Sequence, residues 1–164
     1  YRLINKFNPT NVVELGTSVG LTSLYLAKAN AKSTLYTIEG CPNLFQFSKE
    51  LFKENGIKNI QSINGNFNDE FPKLLSSLNT LDVLYIDGNH AYKPTMNYFK
   101  MALEKRNANS IFIFDDIYWS REMTEAWEII KSSQKVTLTI DLYRMGIVFF
   151  DPAIREKQDF WLRF

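Results

Sequence analysis

The stretch Val12-Val13-Glu14-Leu15-Gly16-Thr17-Ser18-Val19-Gly20-Leu21 decides the fold. Its apolar first half predicts a buried strand over residues 11–15, which the glycine-rich turn follows, and its end predicts a helix over residues 21–28. Glycine at positions 16 and 20 suits a backbone that turns sharply and comes close to a ligand. The N-terminus of the helix presents unpaired backbone N–H groups at the same place. The stretch therefore predicts a ligand site built as strand, turn and helix.

Two ligands compete for this turn: a dinucleotide and another adenosine-containing cofactor. A dinucleotide site needs G-x-G-x-x-G, because its second glycine admits the pyrophosphate. Here Ser18 and Leu21 occupy the second and third glycine positions. Glu14 also adds a carboxylate that would repel a phosphate and attract a cation. S-adenosylmethionine (SAM), with its ammonium and sulfonium groups, fits both features.

Composition places the chain among ordinary globular proteins. It has 164 residues, of which 45% are hydrophobic and 23% charged, and its net charge is +1. We therefore expect a single domain over residues 1–164, with no nucleic-acid partner. A single cysteine excludes internal disulfides, and the absence of a long apolar run argues against a membrane partner, so a cytoplasmic location is expected. Because the chain begins with Tyr1 rather than Met, we expect an N-terminal segment to be missing.

Strands and helices are predicted to alternate through most of the chain. Four further apolar segments are predicted as strands, and helices are predicted between them. The alternation of strands and helices stops near the end of the chain, where a short link near Gly146 joins two strands. The link is too short for a parallel crossover, so the two strands are predicted to form an antiparallel pair. Together these elements predict an α/β fold with a doubly wound, Rossmann-like sheet. The further segments predicted as strands are residues 33–38, 59–63, 81–86 and 110–114, and the closing pair is 135–140 and 147–150.

With these elements placed, the chain resembles the class I SAM-dependent methyltransferases over residues 11–150. The turn beginning at Glu14 is similar to the E-x-G-x-x-x-G motif of the catechol and caffeoyl-coenzyme A O-methyltransferase group. The run Asp115-Asp116-Ile117-Tyr118-Trp119 is similar to that group's D-N-x-x-W, with Asp116 in place of Asn. The run Asp87-Gly88-Asn89-His90-Ala91-Tyr92 resembles the D-G-x-H-x-Y of a broader bacterial methyltransferase family. The resemblance implies seven strands in the order 3-2-1-4-5-7-6, with strand 7 antiparallel.

The expected cofactor-binding residues lie at the ends of the predicted strands. Glu39 ends the second strand, 19 residues after Gly20, where its carboxylate can accept from both ribose hydroxyls. The resemblance implies that Gly65 and Asn66 contact the adenine edge, although Asn66 could serve only as a helix N-cap. The other residues expected to contact SAM are Glu14, Gly16, Thr17, Ser18, Gly20, Gly40, Cys41 and Asp87.

An acidic cluster is predicted where the fourth and fifth strands end. Asp87, Asp115 and Asp116 would place three carboxylates near one point, and such groups repel one another unless protonated or neutralised by a cation. Oxygen ligands of this kind suit Mg²⁺ or Ca²⁺. In the catechol-type enzymes that the chain resembles, the matching residues bind Mg²⁺. We therefore predict a metal site at these aspartates, with Lys93 as a rival counter-ion, and catalytic roles for Asp87 and Asp115.

His90 is the only histidine in the chain and follows Asp87 by three residues. It is predicted either to remove the proton of the methyl acceptor or to hold Asp87 by a hydrogen bond. Tyr92, Tyr118 and Trp119 are predicted to line the acceptor site, although aromatic residues also fill cores.

The predicted function is SAM-dependent O-methylation of a small-molecule hydroxyl acceptor. The alternative is a protein of methyltransferase fold that binds the cofactor or a partner without catalysing transfer, because a fold does not dictate an activity. The resemblance leaves a homodimer open. The sequence does not identify the acceptor.

Overall fold

Residues 1–162 are described in a computed structural model and fall into two compact units. The first unit, Tyr1–Asn79, carries three strands and four helices, and the second unit begins at Thr80. In the first unit the elements are α1 Arg2–Phe7, β1 Asn11–Leu15, α2 Leu21–Ala29, β2 Thr34–Glu39, α3 Pro42–Glu54, β3 Ile60–Asn64 and α4 Phe67–Ser77. In the second they are β4 Leu81–Ile86, α5 Tyr92–Leu103, β5 Arg106–Asp115, α6 Arg121–Ser132, β6 Leu138–Asp141, β7 Met145–Phe149 and β8 Gln158–Trp161.

The strand order within each unit matches the expected topology. The first unit has the order β3-β2-β1, and the second has β4-β5-β7-β6-β8. β1, β2 and β3 are parallel to one another, whereas β7 is antiparallel to both β5 and β6. These segments carry the predicted order 3-2-1-4-5-7-6 with strand 7 antiparallel, so the fold class is confirmed. The single-domain organisation stays a prediction.

The sequence-based prediction of seven strands is wrong by one, because the described chain includes β8. This strand pairs in parallel with β6, from Leu138 opposite Gln158 to Asp141 opposite Trp161. All four of its residues are exposed. An exposed strand shows no alternation of apolar and polar residues, so it leaves no periodic signal in the sequence.

Aromatic side chains build much of the core of the second unit. Phe99 packs edge-on against Phe112 and Phe114, and Phe112 lies 4.7 Å from Phe150 between ring centroids. Trp127 is 1% exposed and tilts against Phe114. Core packing in this unit therefore accounts for part of the high aromatic share of the chain, whereas other rings, such as those of Trp119 and Tyr143, are exposed.

Candidate active site

The glycine-rich turn follows β1 in the first unit and adopts the conformation that its glycines allow. Gly16 and Gly20 have φ values of 106° and 82°, and Ser18 has 50°. A Cβ at Gly20 would lie 2.7 Å from Cε1 of Phe52, a residue of α3. Position 20 therefore requires glycine for both its backbone angle and its packing. The turn leads into α2, whose first N–H groups are available to a ligand.

Glu14 supports this turn from inside the first unit. Its side chain is fully buried, and Oε2 accepts hydrogen bonds from Oγ of Ser23 and, at 2.6 Å, from Oγ1 of Thr37. Oγ1 of Thr37 lies 2.5 Å from Oγ1 of Thr17 in the turn. The single hydroxyl hydrogen of Thr37 is donated to Glu14, so Thr17 is the donor in its bond to Thr37. These bonds link the Glu14 carboxylate to the turn. The predicted contact of Glu14 with the cofactor stays a prediction.

Glu39 joins the turn after β1 to the turn after β2. Its Oε2 accepts from the backbone N–H of Ser18, and its Oε1 accepts from that of Cys41, both at 2.8 Å. The side chain is 9% exposed. An ionised carboxylate offers about four acceptor positions, so the two backbone bonds leave capacity for two further donors. This arrangement suits the vicinal hydroxyls of a ribose.

The other residues expected near the adenosine lie around the ends of β2 and β3. The backbone N–H of Gly65 donates to the carbonyl of Glu39 at 3.0 Å, and a Cβ at Gly40 would lie 3.7 Å from the carbonyl oxygen of Gly65. Cys41 is exposed. Asn66 caps α4, because its Oδ1 accepts from the N–H of Asn68 at 2.8 Å. The capping role of Asn66 is thus observed, and its contact with adenine stays a prediction.

In the second unit, Tyr85 connects two of the three predicted aspartates. Its hydroxyl lies 2.8 Å from Oδ2 of Asp115 and 3.3 Å from Oδ2 of Asp87. Burial and the two neighbouring carboxylates raise the pKa of Tyr85, so the hydroxyl stays protonated and serves as a donor. Nothing in the sequence indicated this role, because Tyr85 reads as one more apolar residue of a buried strand.

Positively charged or polar groups surround the third aspartate, Asp116. Nε2 of His90 lies 3.9 Å from Oδ2 of Asp116 and 3.8 Å from Oδ1 of Asp87. Nη2 of Arg144, in the turn between β6 and β7, lies 3.6 Å from Oδ1 of Asp116. Asp116 directly follows β5 and has a φ of 52°, in the left-handed region. His90 therefore stands between two carboxylates, at distances longer than a hydrogen bond, and both predicted roles of His90 stay predictions.

These contacts do not support the predicted Mg²⁺ site. Within residues 1–162, no group of three or more His, Cys, Asp and Glu side chains is arranged to hold a metal ion. The physical reason is that the repulsion among Asp87, Asp115 and Asp116 is relieved by protein groups. The Tyr85 hydroxyl lies between two of the carboxylates, while His90 and Arg144 stand beside Asp116. The permanent positive charge beside Asp116 is that of Arg144, rather than that of the predicted Lys93.

The acidic cluster makes stability depend on pH. Burial raises the pKa of Asp87 above 3.8, and the Asp115 carboxylate adds to the rise, whereas His90 and Tyr85 act in the opposite direction. The folded state thus holds this proton more tightly than the unfolded chain does. As pH rises from 3.8 through the raised pKa, the free energy of unfolding falls.

We therefore expect Asp87→Asn to gain stability relative to the wild type as pH rises. The gain is modest, because 34% of the Asp87 side chain is exposed. Urea denaturation of both proteins at about pH 4 and pH 7 measures it. A stability difference that stays constant between the two pH values would contradict the raised pKa.

An aromatic cleft of about 250 Å³ lies beside the acidic cluster in the second unit. It is open to solvent, with Trp119 73% and Tyr143 66% exposed. Tyr118 and Trp119 line this cleft, whereas Tyr92 does not, and their contact with an acceptor stays a prediction. Sequence reasoning missed Tyr143 and Arg144, because they belong to a short turn with no motif. The cleft is lined by Asp116, Tyr118, Trp119, Tyr143 and Arg144.

A larger cleft of about 390 Å³ lies in the first unit, where α3 ends beside β3. Its walls combine three lysines with apolar side chains, and none of the predicted site residues lines it. Volume alone therefore does not identify the reactive site. The residues concerned include Lys49, Phe52, Lys53, Ile57, Lys58 and Ile60.

Comparison with known proteins points to one family. A family model described as a methyltransferase domain matches residues 13–117. The fold is similar to that of an O-methyltransferase from Bacillus cereus in complex with S-adenosylhomocysteine (SAH), at a TM-score of 0.77 and 16% identity, over 90% of this chain and 77% of that chain. It is also similar to an O-methyltransferase from Streptomyces achromogenes, involved in tomaymycin synthesis and in complex with SAM. That match has a TM-score of 0.79 and 17% identity, over 92% of this chain and 77% of the other.

One relative is closer in sequence. An uncharacterized protein of Acanthamoeba polyphaga mimivirus is 33% identical over 138 residues, which is 76% of this chain and 61% of the viral protein. The chain thus spans about three fifths of the length of that relative. No helix within residues 1–162 is long and apolar enough to cross a membrane.

Proposed function

Because the chain belongs to the methyltransferase domain family, as its motifs predicted, we propose that it transfers the methyl group of SAM to a hydroxyl oxygen of a small acceptor. The observation that carries this proposal is the position of His90 between two carboxylates, next to an aromatic cleft. An imidazole supported in this way can accept the proton that a hydroxyl loses when it is methylated.

Residues of the first unit would hold the cofactor. Glu39 would accept hydrogen bonds from the ribose hydroxyls while it keeps its bonds to Ser18 and Cys41. Gly16, Thr17, Ser18 and Gly20 would face the amino-acid part of SAM, supported from inside by Glu14. Gly40, Cys41, Gly65 and Asn66 would surround the adenine. The chemistry that SAM supplies is a methyl group already activated by its sulfonium.

Residues of the second unit would handle the acceptor. In the transfer, SAM would supply the methyl group and leave as SAH, while the hydroxyl proton would pass to Nε2 of His90. Asp87 would orient His90 from 3.8 Å, and its predicted contact with the cofactor stays a prediction. Asp115, held by Tyr85, would orient the acceptor hydroxyl. Catalysis then consists of alignment together with deprotonation.

A methyl-transfer assay with matched acceptors tests this proposal. SAM with a deuterated methyl group is offered with catechol or with 1,2-diaminobenzene, and mass spectrometry reads where the label goes. We expect label on catechol oxygen and little on the diamine. Label found mainly on nitrogen would contradict the hydroxyl acceptor. Binding of SAH without transfer to either compound would favour the alternative of a binding protein without catalysis.

A further inference from the structure

A buried carboxylate outside the acidic cluster gathers three hydrogen bonds. Asp141, the last residue of β6, is 4% exposed. Its Oδ2 accepts from the hydroxyl of Tyr118 at 2.5 Å and from Nε1 of Trp127 at 3.1 Å, and its Oδ1 accepts from the backbone N–H of Tyr143 at 2.8 Å. A buried carboxylate is tolerated when donors satisfy it in this way, and such a network fixes the groups that supply the donors.

Two of the three donors belong to residues that line the aromatic cleft. Tyr118 lies in the turn after β5, and Tyr143 lies in the turn between β6 and β7 with a φ of 70°. Their ring centroids are 5.9 Å apart, at an interplanar angle of 42°. The third donor, Trp127, is 1% exposed in α6, so it anchors Asp141 to the core. Asp141 therefore ties two separate turns to one buried point, holding Tyr118 by its hydroxyl and Tyr143 by its backbone, while the two rings lie against each other.

The chemistry of Tyr118 supports a packing role for its ring. Burial, together with the Asp141 carboxylate, raises the pKa of this phenol, so its hydroxyl keeps its proton. Since that proton is donated to Asp141, the hydroxyl is engaged inside the protein, and Tyr118 lines the cleft with its ring. Tyr143 and Trp119 add two largely exposed rings to the same cleft. Exposed aromatic surface of this kind is typical of a binding site.

We propose that Asp141 is a positioning residue that makes the cleft selective for a planar aromatic acceptor, by holding the rings of Tyr118 and Tyr143 in one arrangement. The inference rests on the proposed function, because it concerns the acceptor of the same reaction. Ring-on-ring contacts add to simple area burial only when the rings keep a suitable geometry. A planar acceptor would gain from this wall, whereas a puckered saturated acceptor of the same size would gain much less.

The substitution Asp141→Asn tests the inference. An amide has one acceptor oxygen, so if that oxygen keeps Tyr118 and Trp127, its NH₂ group faces the N–H of Tyr143 and repels it. The binding of catechol and of cis-cyclohexane-1,2-diol is measured by ligand-observed NMR, without cofactor. We expect wild type to prefer catechol, and Asp141→Asn to weaken catechol binding by about three- to tenfold while leaving the diol unchanged.

Two controls separate positioning from loss of structure. Asp151→Asn makes the same chemical change at an exposed carboxylate of the second unit and should leave both ligands unaffected. SAH affinity should be the same in Asp141→Asn and wild type, which a general loss of folding would not allow. If Asp141→Asn fails to fold, Tyr118→Phe removes one of the three contacts and keeps the ring, and it should still weaken catechol binding selectively.

The outcomes are distinguishable from those for the proposed function. Unchanged catechol binding in Asp141→Asn, or in Tyr118→Phe where that variant is used, would overturn the inference. Equal binding of catechol and diol by wild type would also overturn it, even if SAH binds and methyl transfer occurs. A wild-type protein that prefers catechol but does not bind SAH would contradict the proposed function, while the effect of Asp141→Asn on catechol would still decide the positioning role.

Discussion

Replacing His90 with alanine is expected to lower the turnover number for methyl transfer by about 10²–10⁴-fold while SAH affinity stays nearly unchanged. The reason is that His90 is the group able to accept the hydroxyl proton between Asp87 and Asp116, at 3.8 and 3.9 Å from their oxygens. Single-turnover methyl transfer and SAH titration measure the two effects separately.

Two further variants sharpen this test. Lys93→Ala removes an exposed charge three residues beyond His90 and should leave turnover unchanged. His90→Gln keeps hydrogen-bonding capacity but provides no base, so turnover should stay low. Recovery of activity in His90→Gln would assign His90 to holding Asp87 instead. An equal loss of turnover and SAH affinity in His90→Ala would likewise mean that its role is structural.

The second large effect is expected at Glu39. Glu39→Ala should raise the dissociation constant for SAH by about 10- to 150-fold, which corresponds to the loss of roughly 1.5–3 kcal/mol from hydrogen bonds to a charged acceptor. The carboxylate already accepts from Ser18 and Cys41 and has acceptor positions left for the ribose. Calorimetric titration measures the change.

The ribose contact can be separated from support of the turns. The 2′-deoxy analogue of SAH lacks one of the two hydroxyls, so Glu39→Ala should weaken its binding less than it weakens SAH. Glu50→Ala, at an exposed glutamate of α3, is the matched control and should change neither affinity. Equal losses for SAH and its deoxy analogue would mean that Glu39 acts only by holding Ser18 and Cys41.

Local patterns made the first unit largely predictable. Two glycines after an apolar strand predict the turn from Gly16 to Gly20. The position of Glu39 at the end of the next strand predicts its contact with the ribose. The prediction of β1 over Asn11–Leu15 agrees with the structure. What could not be predicted was that Ser18 and Cys41 would both donate to Glu39, because those bonds depend on how two turns meet.

The second unit shows why a cluster of like charges is a weak predictor of a metal. The sequence places Asp87, Asp115 and Asp116 at the ends of neighbouring strands, and the structure agrees. The groups that neutralise them come from elsewhere: Tyr85 from within β4 and Arg144 from the turn before β7. Such partners are identified only in the folded structure. The sequence alone therefore does not distinguish acidic residues that bind a metal from acidic residues that protein donors neutralise.

The role of Asp141 likewise depends on the folded structure. In the sequence it ends an alternating strand and has no motif around it. Its importance lies in three donors from α6 and two turns, all brought together by tertiary structure. Sequence patterns therefore give little indication that a polar residue holds the side chains of a site in place.

Calorimetric titration of the protein with SAH and, separately, with NAD⁺ tests the central claim most directly. The turn from Gly16 to Gly20 lacks the glycine that a pyrophosphate needs, and Glu39 has acceptor positions for a ribose. We expect SAH to bind at a single site and NAD⁺ to give no binding heat. Binding of NAD⁺ without binding of SAH would contradict a SAM-dependent methyltransferase.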